Sequence, residues 1–189
     1  MQVVNAVMMA QRLLKPRLAT AGLVVDATAG NGQDTLFLAA NTPAATVVWA
    51  FDIQSQALTN TKELLAKYEV AAKVHLVLDS HAHITRYIKQ PVDAAMFNLG
   101  YLPGGDHKLS TLPQTTIQAI AQTLQLLNTE GLMTIAAYPG YEQGRLELRE
   151  LHQYLAAIDQ KKFSVACWSM VNQTNFPPIL YLIEKKRSG

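Results

Sequence analysis

Two aspartates, Asp26 and Asp52, stand at the ends of apolar runs over 23–27 and 46–51. The first is followed by the small-residue stretch Ala27-Thr28-Ala29-Gly30-Asn31-Gly32 and then by Asp34-Thr35. Glycine permits the positive φ that a bend of this kind needs, and small side chains let the backbone pass close to a ligand. A carboxylate at position 52, about twenty residues beyond Gly32, is placed to accept both hydroxyls of a ribose. Asp26 supplies a negative charge for an ammonium group or a water cluster. The pairing points to nucleotide recognition.

Charge narrows the ligand. A dinucleotide site would show G-x-G-x-x-G, with a helix N-terminus facing a pyrophosphate. Only Gly30 and Gly32 are present here, beside an acid that would repel a pyrophosphate. A nicotinamide-dependent oxidoreductase is therefore disfavoured. A nucleoside with an ammonium-bearing tail and no phosphate fits, and S-adenosylmethionine has that constitution.

The elements that must position these residues alternate in type. Residues 2–14 carry Val3, Val4, Val7, Met8, Leu13 and Leu14 at helical spacing, with Pro16 as the expected stop. The pattern predicts strands over 23–27, 46–51, 73–78, 92–97 and 131–137, and helices over 33–41, 55–68, 82–89, 113–127 and 143–158. Two further strands, 163–171 and 179–184, are separated only by the polar loop 172–178 and predict an antiparallel hairpin. Strands separated by helices pair in parallel, with helices on both faces. The expected fold is α/β: a Rossmann-like sheet of seven strands, mostly parallel with a C-terminal antiparallel hairpin, in one domain over residues 1–189. In such sheets ligands bind beyond the carboxyl ends of the strands, where the strand order reverses.

Composition bounds the partners. The 189 residues are 49% hydrophobic and 16% charged, which supports a sizeable core and excludes a disordered chain. A net charge of +2 without a basic stripe permits an RNA partner, but not one held by charge alone. The single cysteine, Cys167, lies in an apolar run and reads as a buried packing residue. No Cys/His spacing resembles a metal site, so no metal is expected. No apolar run approaches the ~20 residues that span a bilayer, and the N-terminus lacks a signal-peptide pattern. A cytoplasmic protein without a membrane partner is expected, and the apolar N-terminal helix offers a surface for a homodimer.

Asp26-x-x-Ala29-Gly30-Asn31-Gly32 resembles motif I of the class I, seven-stranded methyltransferases, with Thr28 where glycine is usual. The fuller strings DATAGNGQDT (26–35), FDIQ (51–54) and NLGYLPGGDHKLST (98–111) resemble a narrower family of small proteins described as rRNA methylases. Some members of that family methylate the 5-aminomethyl group of 2-thiouridine at the tRNA wobble position. The resemblance runs from about residue 3 to residue 185, and NLGYLPGGD is its most specific element. It implies that Asn31, Asp52, Gln54, Ser80 and His81 touch S-adenosylmethionine, beside Asp26, Ala29, Gly30, Gly32, Asp34 and Thr35 of the first bend. Asp79-Ser80-His81 would offer an acceptor to the adenine amino group, and His83 stands where an acid is common.

Amine-methylating members of the class carry Asn/Asp-Pro-Pro-aromatic at the tip of the fourth strand. Asn98-Leu99-Gly100-Tyr101 is similar but lacks the prolines. An amine attacks through its lone pair, so its N–H bonds must turn toward acceptors. The side-chain oxygen of Asn98 and the carbonyl of Leu99 can supply them while Tyr101 packs on the base. Asp106 is the nearest candidate for a general base. Lys108, in the glycine-bearing loop 102–108, can contact a phosphate. Tyr138, Tyr141 and Arg145, at the tip of the fifth strand, can stack an extruded base and hold its backbone. The expected activity is N-methylation of RNA; the wobble uridine of tRNA (position 34) is implied by the resemblance alone, since fold does not fix substrate. An rRNA base methyltransferase and a small-molecule amine methyltransferase stay open beside it. A nucleotide-binding module without catalysis is the remaining alternative, against which Asn98-Leu99-Gly100-Tyr101 speaks.

Overall fold

A computed structural model describes residues 5–100 and 110–187. Tyr101, Asp106 and Lys108 lie outside the described residues.

The first helix, α1 (Ala6–Leu18), is set by a four-residue recurrence: Ala6, Ala10, Leu14 and Leu18 are all buried. Asn5 caps it, its Oδ1 accepting the Met8 amide at 2.8 Å. Pro16 does not stop this helix, contrary to the sequence expectation. Proline removes one hydrogen bond and crowds the preceding turn, but the last turn places Leu18 at 0% exposure, and that burial outweighs the loss. Most of the apolar stripe packs on the sheet, leaving Met8 and Leu13 exposed.

Seven strands follow: β1 (Leu23–Asp26), β2 (Val47–Asp52), β3 (Val74–Leu78), β4 (Val92–Asn98), β5 (Leu127–Ala137), β6 (Phe163–Trp168) and β7 (Ile179–Lys185). Their order is β3-β2-β1-β4-β5-β7-β6. The first five run parallel, and β7 inserts antiparallel between β5 and β6. The order reverses between β1 and β4. Helices α2 (Gln33–Ala40) and α3 (Ser55–Lys67) lie on the α1 side; α4 (Ile84–Tyr87), α5 (Pro113–Leu126) and α6 (Glu142–Ala156) cover the other. The helix expected over 82–89 is a 3-10 turn at His81–His83 followed by the single turn of α4.

Pleating explains the two cores. Val25, Ala95 and Phe97 point to one face and meet Ile120, Leu124 and Leu151; Val24, Ala94 and Met96 point to the other and meet Leu14 and Leu38. Strands buried on both faces read as unbroken apolar runs. Asp93 pins the amino ends of this central pair. Its Oδ2 accepts the Gly22 and Leu23 amides at 2.7 and 3.2 Å, and its Oδ1 accepts Asn128 at 2.8 Å and Arg17 at 3.2 Å. Burial opposes its charge, yet these donors hold the carboxyl below the usual range.

Two expectations need correction at the far edge. Strand β6 ends at Trp168, short of 171, and Cys167 is exposed, not buried. The outermost strand has only β7 beside it, so an apolar run there is not covered. The basic tail is also engaged: Lys185 donates to the Leu127 carbonyl, Lys186 to that of Gln160, and Arg187 pairs with Glu130 at 2.9 Å. Among the described residues no helix is long and apolar enough to cross a membrane.

Candidate active site

The carboxyl ends of β1 to β5 frame a cavity of about 990 Å³, at the upper end of the ~300–1,000 Å³ usual for ligand pockets. The bend after β1 forms one wall. The Ala29 amide donates to the Phe51 carbonyl at 2.8 Å and the Gly30 amide to Asp52 Oδ2 at 2.9 Å, so the bend and the tip of β2 form one piece. Asp52 Oδ1 accepts the Gln54 amide at 2.9 Å. Ala29, Gly30, Asn31, Asp52 and Gln54 all line the cavity. Gly32 does not. With φ at 83°, a Cβ there would come 2.9 Å from the Thr61 Cα, so this glycine serves the approach of α3.

The structure sorts the two acids of the first bend. Asp26 is fully buried and off the cavity wall; its Oδ1 accepts the Thr28 amide at 3.0 Å and its Oδ2 the Thr35 hydroxyl at 2.6 Å. The chain turns back over this carboxylate, which becomes the anchor of an Asx turn, and Thr35 stands behind the wall with it. Burial, with the charges of Asp34 and Asp52, pushes Asp26 up to about 7. Asp34 lines the cavity instead, accepting Gln11 Nε2 at 3.1 Å, and burial raises its pKa too.

At the end of β3, Ser80 and His81 face the cavity. His81 Nδ1 lies 3.1 Å from the Ala27 carbonyl oxygen. A carbonyl only accepts, so Nδ1 carries the hydrogen. Burial lowers the His81 pKa, which keeps the ring neutral and makes Nε2 an acceptor. That Nε2 is buried without a partner among the described residues. Asp79 is absent from the lining; it binds His83 Nδ1 at 2.8 Å and the Tyr87 hydroxyl at 2.9 Å.

Asn98, Leu99 and Gly100 bring β4 to the same cavity. The Asn98 amide donates to Thr28 Oγ1 at 2.7 Å, so the threonine that replaces a customary glycine ties the first bend to this tip. Asn98 Nδ2 faces Asp34, while Oδ1 is buried with no partner among the described residues. Gly100 and Thr111 exchange two hydrogen bonds, amide to Oγ1 at 2.9 Å and amide to carbonyl at 2.8 Å. The Thr111 hydroxyl then donates to Glu147 Oε2 at 2.7 Å, and Thr116 donates to Oε1 at 2.6 Å. Glu147 is buried on α6, and burial raises its carboxyl. The sequence gives no mark of it, since one more acid on an amphipathic helix reads as solvated.

Tyr138 and Tyr141 line the cavity; Arg145 does not, and opens onto a neighbouring groove. Gly144 explains the close seat of α6, because a Cβ there would fall on the Tyr138 carbonyl oxygen. Phe176, between β6 and β7, closes the cavity from the far side and was not foreseen.

Residues 48–184 match the family described as "Putative rRNA methylase". The chain belongs to this rRNA methylase family. A Clostridium thermocellum protein of that description is 42% identical, with 98% of this chain and 100% of that one covered and a TM-score of 0.95. A "putative methyltransferase" of Streptococcus mutans, solved in complex with SAH, is 36% identical over 97% of this chain and 99% of its own, with a TM-score of 0.89. A chloroplastic tRNA (mnm(5)s(2)U34)-methyltransferase of Arabidopsis thaliana is 30% identical over 174 residues, 86% of this chain. The chain spans 63% of that relative's length.

In this member of the rRNA methylase family, the donor and acceptor set fits S-adenosylmethionine. Asp52 presents a carboxylate to the cavity, and His81 Nε2 and Asn98 Oδ1 are buried acceptors without a partner among the described residues. Buried polar atoms left without a partner are uncommon and costly. Asp34 and Asp52, the two acids on the wall, favour a cationic ligand over a phosphate.

Proposed function

We propose that this chain is an S-adenosylmethionine-dependent N-methyltransferase of RNA, acting on the 5-aminomethyl group of 2-thiouridine at position 34 of tRNA. The carrying observation is the buried Oδ1 of Asn98 at the tip of β4, which has no partner among the described residues. S-adenosylmethionine, when bound, supplies an electrophilic methyl group. Asp52 would hold its ribose, the bend at Ala29–Asn31 its flank, and Ser80 and His81 its adenine edge, with Asp34 beside its ammonium end. Asn98 Oδ1 accepts one N–H of the substrate amine, and the Leu99 carbonyl a second, which turns the nitrogen lone pair into the cavity. Orientation and exclusion of water then carry most of the rate.

The family and the name of the Arabidopsis relative support RNA as substrate and tRNA as the particular one. We place this activity in the cytoplasm, on a single methyltransferase domain. Nucleoside mass spectrometry of tRNA from a strain lacking the gene tests the reading. The methylated wobble uridine should be missing, and purified protein with S-adenosylmethionine should restore it in vitro. Intact tRNA with one unmethylated rRNA base would replace the target by an rRNA base. Turnover of free amines with no RNA product would replace it by a small molecule.

A further inference from the structure

Beside the cavity lies a second concavity of about 680 Å³, between α6 and the loop joining β6 to β7. Arg145, Arg149 and His152 line it, one face of α6 at spacings of four and three. Among the described residues no aspartate or glutamate does so. Neither arginine forms an ion pair among the described residues. Its walls are otherwise apolar or uncharged, with Leu148 and Ile179 among them. An unneutralised pair of guanidinium groups over an apolar floor fits a ligand that carries both negative charge and flat apolar faces.

Phe176 joins the two spaces, lining both. It is 59% exposed, and its φ is 52°, left-handed backbone that a bulky residue seldom adopts. An exposed aromatic held in unfavourable geometry at the junction of two concavities is the kind of outlier from which function is inferred. Pro139 in the groove and Gly140 in the cavity are consecutive residues, so the two spaces are neighbours along the turn after β5 as well.

We propose that the groove is a second RNA subsite, in which Arg145 and Arg149 hold phosphodiester oxygens next to the methylated nucleotide and Phe176 stacks on an adjoining base. The proposal rests on the reading of the substrate as RNA. Guanidinium groups match phosphate oxygens two at a time, and base stacking on an aromatic ring tolerates any base. A strand whose target base enters the cavity would cross Phe176 into the groove. The subsite requires no basic stripe elsewhere, in keeping with a net charge of only +2.

The test uses the full chain, tRNA from a strain lacking the gene, and S-adenosylhomocysteine. Arg149→Ala should weaken tRNA binding about tenfold and lower the slope of log K against log salt by about one. It should raise KM for tRNA more than it lowers kcat, with S-adenosylhomocysteine affinity unchanged. Arg149→Lys should restore the salt slope. Phe176→Ala should weaken tRNA binding with the slope intact. Wild-type affinity and slope in the Arg145→Ala, Arg149→Ala double variant, beside a wild type that methylates tRNA, would overturn the subsite alone. A parallel loss of S-adenosylhomocysteine binding in Arg149→Ala would also overturn it, by revealing a folding defect. A wild type that neither binds nor methylates any RNA would remove the RNA reading and the subsite with it.

Discussion

Asn98 Nδ2 lies 3.4 Å from Asp34 Oδ2, and this contact fixes which end of the amide is left over. A carboxylate draws the amide nitrogen toward itself, so the oxygen is the atom that waits for a donor. Asn98→Ala should therefore lower kcat by about 10²-fold, as loss of a positioning contact does. Affinity for S-adenosylhomocysteine, read by calorimetry, should stay near normal. Equal loss of both would contradict the role given to Asn98.

Asp52 does two jobs at once, holding the Gly30 and Gln54 amides and presenting a carboxylate to the cavity. Asp52→Ala leaves those amides and a ligand's hydroxyls unpaired, at a cost of about 1–3 kcal/mol. S-adenosylhomocysteine should bind roughly 5- to 150-fold more weakly by isothermal titration. Unaltered affinity would show that the ribose does not rest on this strand tip.

Asp26 gives a pH dependence with a definite sign. Its folded pKa, about 7, lies above the ordinary 3.8. The folded state therefore binds the proton more tightly than the unfolded chain, and stability falls as pH rises from about 4 to about 7. Asp26→Asn mimics the protonated acid, with its Nδ2 donating to Thr35 Oγ1. The variant should lose less thermal stability than wild type between pH 5 and pH 8, measured by calorimetry without ligand. Asp93 acts in the opposite sense: its lowered pKa contributes stability at neutral pH that is lost in acid.

Glu147 is a buried carboxylate with two threonine hydroxyls for partners. Glu147→Ala would strand both hydroxyls, costing about 1–3 kcal/mol, or a drop in Tm of several degrees for a chain of this size. Glu147→Gln keeps one acceptor and should recover part of that Tm in differential scanning fluorimetry. Full wild-type stability in the alanine variant would show that the bonds from Thr111 and Thr116 contribute nothing.

The strand sequence was legible because β1 and β4 are buried on both faces, and such strands announce themselves as apolar runs. Its limits are tertiary. Pro16 argues locally for a helix end, while the burial of Leu18 that overrides it belongs to the packed sheet. Cys167 sits in an apolar run, and only the strand order makes that run an edge. Asp26 and Asp34 lie in one string, and which of them faces the ligand depends on the bend folding back over the first. Phe176 reaches the cavity from the loop between β6 and β7, remote in sequence from the other lining residues, so no spacing could announce it.

Gly144 lets helix α6 rest on the Tyr138 carbonyl at a separation that no side chain would tolerate. Tyr138 in the cavity and Arg145 over the groove lie on either side of that contact, so the glycine works as a gauge block between them. The helix has no room to slide inward. Retuning this scaffold for another nucleotide would thus require recutting side chains, because the spacing of the main chain is already at its closest stop.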